Sequence, residues 1–384
     1  MACERVSSSP AAEDFQLLAG RESRAANGQG WTIDRRLSCT RNRWRTSRRI
    51  MATKCDIVRI MIPGDLDYRY DRRVDPNFLD LFDARGAFRT LTEYACKARY
   101  PVDLQFRRNP KTAAQHASLY VGLTTVLDVH WKPGAVKLAA HPTFHPSGFQ
   151  AAWMSWTAIG EAAARSDAVD GYLDAVIPQA AAGRAAVEGA VQAAVSSFDS
   201  ANRVMLDREV LLHFRDTPTK QRVMDSVTAD LRLALSTAPV PGARPAAFGG
   251  RCDLLAIDSA GRLLAVEVKP KGAPTITWAP AQAIVYARLF NIWLQHDPDS
   301  AEILSGMIEQ RKRLNLIKSQ TPVLPSRPGV IPIVAVQRGM SQELRGRFFT
   351  VRRHLTDQGI DEASQLQVYE VTLAGRLLPA NGSR

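Results

Sequence analysis

Apolar and polar positions in the second half of this 384-residue chain follow patterns typical of short strands alternating with helices. The segments CDLLAID and RLLAVEVK are apolar runs separated by the turn formers DSAG at residues 258–261, and they predict a β-hairpin. AQAIVYARLFNIWLQ has helical apolar spacing, and GVIPIVAVQRG predicts a buried strand. SQELRGRFFTVRRHL predicts a further helix and LQVYEVTL a closing strand. The pattern therefore predicts an α/β core with a mixed sheet flanked by helices over residues 201–384.

The first half has a different pattern. DIVRIMIP, VDLQF, LYVGLTTVLDVHW and AVKLAAHPTF each predict a strand, and Lys132-Pro133-Gly134 predicts a tight hairpin turn. We expect a smaller β-rich domain of unknown role over residues 51–155. Residues 156–200 are rich in alanine and predict a helical connection, interrupted near Pro178.

Residues 1–50 lack apolar periodicity and are rich in arginine and serine, so we expect a disordered tail or a misassigned start. Met51 is the candidate true start, and an intact mass beginning at Met1 in the native host would refute it. This stretch has ten arginines and five acidic residues, which accounts for +5 of the +12 formal charge. The remaining +7 still suits a polyanionic partner such as nucleic acid.

Cysteine usage and hydropathy favour a cytoplasmic protein. The five cysteines are odd in number and scattered, so no disulfide framework is indicated. No apolar run reaches the length of a membrane span, and the N-terminus has no signal-peptide core. The absence of Walker A and G-x-S-x-G motifs leaves ATP-driven work and esterase-like chemistry without support.

The predicted hairpin carries the residues with the clearest chemistry, Asp253 on its first strand and Glu267 and Lys269 on its second. Antiparallel pairing brings Asp253 near Glu267, and period-two alternation places Glu267 and Lys269 on one face. Paired carboxylates are suitable ligands for a partly hydrated Mg²⁺, and a nearby lysine can orient a water and offset phosphate charge. Phosphodiester hydrolysis needs all three groups. A hairpin with one solvated face would show the same alternation, so an ordinary hairpin is the alternative.

The following helix adds Gln282 and Tyr286, which are four residues apart and share one helix face. Together with the hairpin residues, they resemble the PD-(D/E)xK nuclease superfamily, and more narrowly its RecB-like branch with a Q-x-x-x-Y helix. The resemblance covers about residues 200–340 and implies a restriction-endonuclease-like fold. Cys252 stands where the family name has proline.

The resemblance implies a role for each matching residue. Asp253 and Glu267, with the carbonyl of Val268, would hold Mg²⁺, for which Mn²⁺ can substitute. Lys269 would position the attacking water. Gln282 and Tyr286 would line the site and contact the substrate strand. The implied activity is metal-dependent cleavage of DNA rather than RNA.

Many members of this superfamily have a further acidic residue on a helix before the first core strand. Glu209 in DREVLLHF and Asp225 in QRVMDSVTADL are the candidates here, and we prefer Glu209 because it precedes ADLRLAL, which we take as the first core strand. Either residue could be an ordinary surface charge.

Two other functions remain open. One is a catalytically inactive nuclease-like domain that binds nucleic acid or a protein, and the other is an α/β interaction module in which D…ExK is coincidence. The sequence leaves open the cleavage mode, the substrate structure, the biological pathway and the oligomeric state.

Overall fold

The computed structural model describes residues 68–97, 100–183, 187–197, 200, 202–318 and 322–380. All of them belong to one compact unit that extends from Ile60 to Arg384. The expected N-terminal tail, the candidate start at Met51 and the strand expected at DIVRIMIP therefore lie outside the described residues. No helix in the described part of the chain is both long and apolar enough to cross a membrane.

The first part of the described chain is an antiparallel sheet with helices packed on it. Its elements are β1 (Tyr68–Arg69), α1 (Pro76–Leu79), α2 (Arg89–Lys97), β2 (Val102–Arg108), β3 (Gln115–Val121), β4 (Thr124–Lys132), β5 (Ala135–Ala139), β6 (Thr157–Ala158), α3 (Ile159–Ala163), α4 (Ser166–Gly183) and α5 (Val187–Ser197). Short 3₁₀ helices occupy Asp80–Phe82, Pro142–Ser147 and Ala151–Met154. Strands β2 to β6 pair in chain order, and α4 packs on them through Tyr172, Leu173 and Val176.

Three details of this part differ from the sequence prediction. LYVGLTTVLDVHW forms two strands instead of one, because Gly122 turns the chain with a positive φ of 60° that glycine adopts readily. The strand expected at AVKLAAHPTF ends at Ala139, before the 3₁₀ helix. Pro178 lies inside α4 and does not interrupt it. The hairpin at Lys132-Pro133-Gly134 is present, with β4 antiparallel to β5.

The second part contains a six-stranded mixed sheet flanked by helices, in agreement with the predicted α/β class. Its elements are β7 (Arg203–Leu211), β8 (His213–Phe214), α6 (Thr217–Ser236), β9 (Arg251–Asp258), β10 (Leu263–Lys269), α7 (Ala279–His296), α8 (Ser300–Arg313), β11 (Val330–Gln337), α9 (Gln342–Asp357), α10 (Asp361–Gln365), β12 (Gln367–Val371) and β13 (Leu377–Pro379), with a 3₁₀ helix at Pro274–Trp278. The strand order is β13-β12-β11-β10-β9-β7, and β8 pairs with β1. Strands β10, β11 and β12 are mutually parallel, and the other pairs are antiparallel.

The segment ADLRLAL is not a strand, contrary to the sequence prediction. It forms the C-terminal half of α6, where Val227, Leu231 and Leu235 are buried at helical spacing. The first strand of the large sheet is β7 instead, which contains most of DREVLLHF. The short apolar run of ADLRLAL is ambiguous by periodicity, and the helix continues the pattern that begins after Asp216. The Asp216 side chain caps this helix at the backbone N–H of Thr219.

Strand β10 is buried along its whole length, because helices cover both faces of the sheet at its centre. Leu263 and Ala265 belong to the core that contains Ile284 and Val285 of α7. The residues that alternate with them, Leu264, Val266 and Val268, form a core with Val191 and Val195 of α5. Period two therefore places Glu267 and Lys269 on the face that α7 covers.

Buried ion pairs join the two sheets. Asp207 of β7 accepts hydrogen bonds from Tyr70 and Arg72, each at 3.0 Å, and pairs with Arg107 of β2. Asp103 of β2 lies 3.8 Å from the guanidinium of Arg208 on β7. Ion pairs shielded from water thus link β2, the edge strand of the N-terminal sheet, to β7, the edge strand of the large sheet.

The basic run at residues 311–313 is part of these internal contacts. Arg311 is buried and donates to the carbonyl of Leu104 at 3.1 Å, and Arg313 pairs with Asp80 and Asp83. These contacts occupy two of the three cations that could have contacted phosphates.

Candidate active site

The β9–β10 hairpin brings Asp253 to the end of the strand that carries Glu267 and Lys269. The two strands pair antiparallel, and the Oδ2 atom of Asp253 accepts a hydrogen bond from the backbone N–H of Val268 at 2.7 Å. This bond fixes the orientation of the Asp253 carboxylate. The charges of Glu267 and Lys269, which flank Val268 in sequence, both act on this carboxylate.

Glu267 is the most buried acidic residue of the site, with 1% of its surface exposed. Its Oε1 atom forms an ion pair with the ammonium of Lys269. Its Oε2 atom is buried and has no hydrogen-bond partner among the described residues. A buried carboxylate oxygen without a close donor is costly, and the hydroxyl of Tyr286, which lowers the pKa of Glu267, offsets part of that cost.

Burial disfavours the ionisation of both carboxylates. Burial raises the pKa of Asp253 well above its usual value, and the charge of Glu267 raises it further. Burial also raises the pKa of Glu267, although the charge of Lys269 opposes this effect. One lysine therefore does not fully offset the cost of ionising two buried carboxylates.

Helix α7 closes the site on the side that Glu267 and Lys269 face. Tyr286 is buried, and its hydroxyl lies beside Glu267, where burial and the carboxylate charges raise the pKa of the phenol. Gln282 lies one turn earlier, and its Oε1 atom is buried without a hydrogen-bond partner in the described part of the chain. The structure thus brings Asp253, Glu267, Lys269 and Tyr286 together, with Gln282 on the same helix face.

Glu209 also reaches the site, but from a strand. It lies in β7, next to β9, and not on the helix that we expected. Its φ of 52° is in the left-handed region, which is unfavourable for a residue with a side chain. Its charge contributes to the raised pKa of Asp253. The other candidate, Asp225, is on α6 with an exposed side chain that pairs with Arg232 at 3.4 Å.

Gln192 on α5 holds Glu209 in place, and the sequence analysis did not identify it. Its Nε2 atom lies 2.7 Å from Oε1 of Glu209 and 3.1 Å from the carbonyl oxygen of Asp253. Its Oε1 atom accepts a hydrogen bond from the fully buried Arg208 at 2.6 Å. Gln192 therefore joins the strained Glu209 to the backbone of Asp253.

Glu188 is the second residue that the sequence analysis missed. It lies in the first turn of α5, one turn before Gln192, and its Oε1 atom is 4.0 Å from the ammonium of Lys269. Its charge raises the pKa of both Glu267 and Lys269. Glu188 is an acidic residue on a helix before β7, the first strand of the large sheet. The only sequence signal was a pair of polar residues four apart in an alanine-rich helix.

A glycine allows α5 to approach this closely. A Cβ atom at Gly189 would lie 2.8 Å from the backbone nitrogen of Leu123 and 2.9 Å from its side chain. Leu123 lies in the β3–β4 turn, so α5 is positioned by the N-terminal sheet as well as by the large sheet. This close contact determines where Glu188 and Gln192 meet the hairpin.

The donor atoms fit a magnesium ion better than a zinc ion. Asp253 and Glu267 offer carboxylate oxygens, which are the ligands that Mg²⁺ prefers. No group of three or more histidine, cysteine, aspartate or glutamate side chains within the described ranges is arranged to hold a metal. Mg²⁺ keeps several waters and needs only one or two protein carboxylates, whereas structural zinc takes four protein ligands.

Comparison of this chain with protein-family models, with curated proteins and with solved structures found no match. The chemistry of the site therefore rests on its own geometry.

Proposed function

We propose that this protein is a metal-dependent nuclease with a restriction-endonuclease-like core, and that it cleaves DNA rather than RNA. The observation that carries the proposal is the pair of buried carboxylates, Asp253 and Glu267, beside Lys269. Such a cluster is unfavourable in a folded protein unless a cation compensates it. The order of antiparallel hairpin, helix α7 and parallel strand β11 also supports the resemblance to PD-(D/E)xK nucleases.

Each residue has a separate task in the proposed reaction. Asp253 and Glu267, with the carbonyl of Val268, would hold Mg²⁺ or Mn²⁺. The bound ion would polarise a phosphate oxygen and lower the pKa of a water. Lys269 orients the attacking water, and its charge offsets the charge that develops on the phosphate.

The surrounding residues keep this cluster in position. Glu188, next to Lys269, supplies the upstream acid in place of Glu209. Glu209 stabilises Gln192, which is bound to the carbonyl of Asp253. Gln282 and Tyr286 line the side of the site formed by α7 and would contact the substrate strand.

One observation favours a second function. The ion pair between Lys269 and Glu267 neutralises one of the two carboxylates without a metal. A domain that lost catalysis and kept nucleic-acid binding would have such an ion pair in place of a bound metal. The second candidate is therefore a catalytically inactive binding module.

The two functions are distinguished by an assay on single-stranded, double-stranded and branched DNA, with Mg²⁺ or with EDTA. Lys269→Ala and Asp253→Ala should each reduce Mg²⁺-dependent cleavage by about 10²–10³-fold, because each removes a group that acts on the transition state. Asp253→Asn is the conservative variant, since its amide oxygen can still accept from Val268. Lys220→Ala, at an exposed position on α6, is the matched control and should cleave like the wild type.

Cleavage that persists in both alanine variants would exclude the proposed site. Binding without cleavage in Mg²⁺ and in Mn²⁺ would favour the inactive module. A melting curve for each variant separates loss of function from loss of fold.

A further inference from the structure

A second charged cavity lies at the junction of the two sheets. It has a volume of about 230 Å³ and is lined by residues of β1, of the end of β2 and of the end of β7. Its basic lining residues are Arg69, Arg72, Arg107, Arg108, His116 and His213. Ligand cavities form preferentially at such junctions between packed units.

The cavity and the carboxylate site are at the same end of the large sheet. Leu211, at the C-terminal end of β7, lines the cavity and pairs with Arg251 at the start of β9. Asp253 follows two residues after Arg251, and the antiparallel β10 ends at Lys269 on this same edge. Glu209 precedes Leu211 by two residues, which is about 7 Å of strand.

Two of the arginines are held rigidly at the cavity wall. Arg72 donates its Nε to Asp207 at 3.0 Å and its Nη1 to the carbonyl of Arg108 at 3.5 Å. Arg107 pairs with Asp207 and donates its Nη2 to the carbonyl of Arg208 at 2.8 Å. A guanidinium has five N–H donors, so these contacts leave donors for a ligand. Fixed guanidinium groups are well suited to bind phosphate.

Arg108 is the most available of the cations that this argument uses. Its side chain is 39% exposed, and its nearest carboxylate is that of Asp71 at 3.6 Å. Asp71 is closer to Arg73, at 3.0 Å, so it is shared between two arginines. The cavity therefore has more positive charge than Asp71 and the buried Asp207 compensate.

The pKa of His116 is affected by the positive charges of the same arginines. Burial lowers its pKa to about 4, and the charges of His130, Arg107 and Arg72 contribute to this shift. The cavity would therefore attract an anion at neutral pH without protonating this histidine.

We propose that this cavity binds a backbone phosphate of the nucleic-acid strand that occupies the carboxylate site. The proposal rests on the function proposed above and adds a phosphate-binding position outside the nuclease core. Glu209 and Leu211 are about 7 Å apart along β7, so the cavity lies within reach of a nucleic-acid strand that leaves the carboxylate site. Arg251 pairs in register with Leu211 and its guanidinium forms an ion pair with Glu209 at 3.3 Å, so a positive charge lies between the two positions. The phosphodiester group is common to DNA and RNA, so the cavity itself does not distinguish them.

The test is a binding measurement that does not depend on cleavage. Fluorescence anisotropy of labelled single-stranded DNA, duplex DNA and single-stranded RNA is followed in EDTA over a series of salt concentrations. Arg108→Gln should weaken binding about tenfold and reduce the slope of log affinity against log salt by about 0.7–0.9, the loss of one phosphate contact. Arg108→Lys keeps the charge and should keep the slope, which separates the charge from any effect on folding.

Arg353→Gln is the matched control, an exposed arginine on α9 that should bind like the wild type. The proposal is overturned if Arg108→Gln has the affinity and slope of the wild type, or if the wild type binds none of the three probes at low salt. A protein that binds without cleaving, and loses binding in Arg108→Gln, supports the cavity and refutes the nuclease. If Arg108→Gln cleaves normally and binds like the wild type, the nuclease is supported and the phosphate-binding cavity is refuted.

Discussion

A carboxylate that is shielded from water ionises less readily, and both acids of the hairpin are shielded. Burial raises the pKa of Asp253 and of Glu267, and the charge of Glu267 raises the pKa of Asp253 further. Lys269 forms an ion pair with only one of the two carboxylates, that of Glu267. The Oε2 atom of Glu267 has no close hydrogen-bond partner among the described residues. At the scale of the residue, the site is an arrangement of groups that a divalent cation would stabilise.

Glu188 is the residue whose role is most directly testable at this scale. Glu188→Gln removes a charge 4.0 Å from the ammonium of Lys269 and keeps the shape of the side chain. We expect Mg²⁺-dependent cleavage to fall about 10–100-fold, which is the usual effect of losing a residue that supports a metal site. The Mg²⁺ concentration needed for half-maximal rate should rise as well.

Glu161→Gln is the control for this prediction, since Glu161 is an exposed acid at the start of the short helix α3. Wild-type rates and an unchanged Mg²⁺ requirement in Glu188→Gln would show that Glu188 is an ordinary surface charge. The same measurement on Gln192→Ala tests whether Gln192 positions Asp253.

Strands β3 and β4 place two histidines directly opposite each other. His116 pairs in register with His130, and their ring centroids are 5.2 Å apart. Burial lowers the pKa of both rings, and the pKa of His116 falls to about 4. Cross-strand neighbours that repel when charged destabilise a sheet.

The histidine pair predicts a loss of stability in mild acid. The unfolded chain takes up a proton at His116 near pH 6.5, whereas the folded protein resists protonation until about pH 4. The stability that neutral His116 contributes to the folded protein is therefore complete above pH 6.5. It declines as the pH falls and is lost below about pH 4. We expect a decrease of about 1–3 kcal/mol in the free energy of unfolding between pH 7.5 and pH 4.5 from this residue.

Urea unfolding of the wild type and of His116→Gln at a series of pH values would measure this effect. The variant should lose less stability than the wild type across the window, and the difference isolates His116 from the other titrating groups. His296→Gln, at the exposed end of α7, is the control. Parallel stability curves for the wild type and His116→Gln would contradict the prediction.

At the scale of the whole molecule, the described residues form two main hydrophobic cores joined by buried charges. One core lies around the N-terminal sheet and the other between the large sheet and α7. Asp207 connects them because it pairs with Arg72 and Arg107 from the N-terminal part. A buried charge that loses its partner costs more than the absence of both charges. Because separating the two parts would leave these charges unpaired, the two parts should unfold together.

Removal of the Asp207 carboxylate should therefore destabilise both cores. Asp207→Ala leaves two arginines without their buried partner and should cost about 3–5 kcal/mol. Hydrogen exchange followed by mass spectrometry should report faster opening in peptides of β3 and of β10 alike. Asp225→Asn, on the exposed face of α6, should change stability by less than about 0.5 kcal/mol.

Two separate denaturant transitions in the wild type would contradict this coupling. So would an Asp207→Ala variant in which only one sheet exchanges faster.

Local patterns were enough to predict the hairpin, α7, β11 and α9. Each of these segments has the period of its own secondary structure, and the turn at residues 258–261 has the required residue types. The pairing of Asp253 with the end of β10 followed from the hairpin alone. ADLRLAL could not be assigned in the same way, since seven apolar and polar residues fit a strand and a helix equally well.

Tertiary structure decided the parts of the site that come from distant segments. Glu188 and Gln192 belong to an alanine-rich helix, and its apolar pattern indicates only which face is buried. They meet the hairpin because Gly189 lets α5 pack closely. The basic cavity combines β1, β2 and β7, whose arginines are far apart in sequence. The amino-acid sequence by itself determined the hairpin that carries Asp253, Glu267 and Lys269, because strand periodicity and turn chemistry are local. Only the packing of α5 and the N-terminal sheet determined which other charges surround these residues, because electrostatic contacts depend on distance in space.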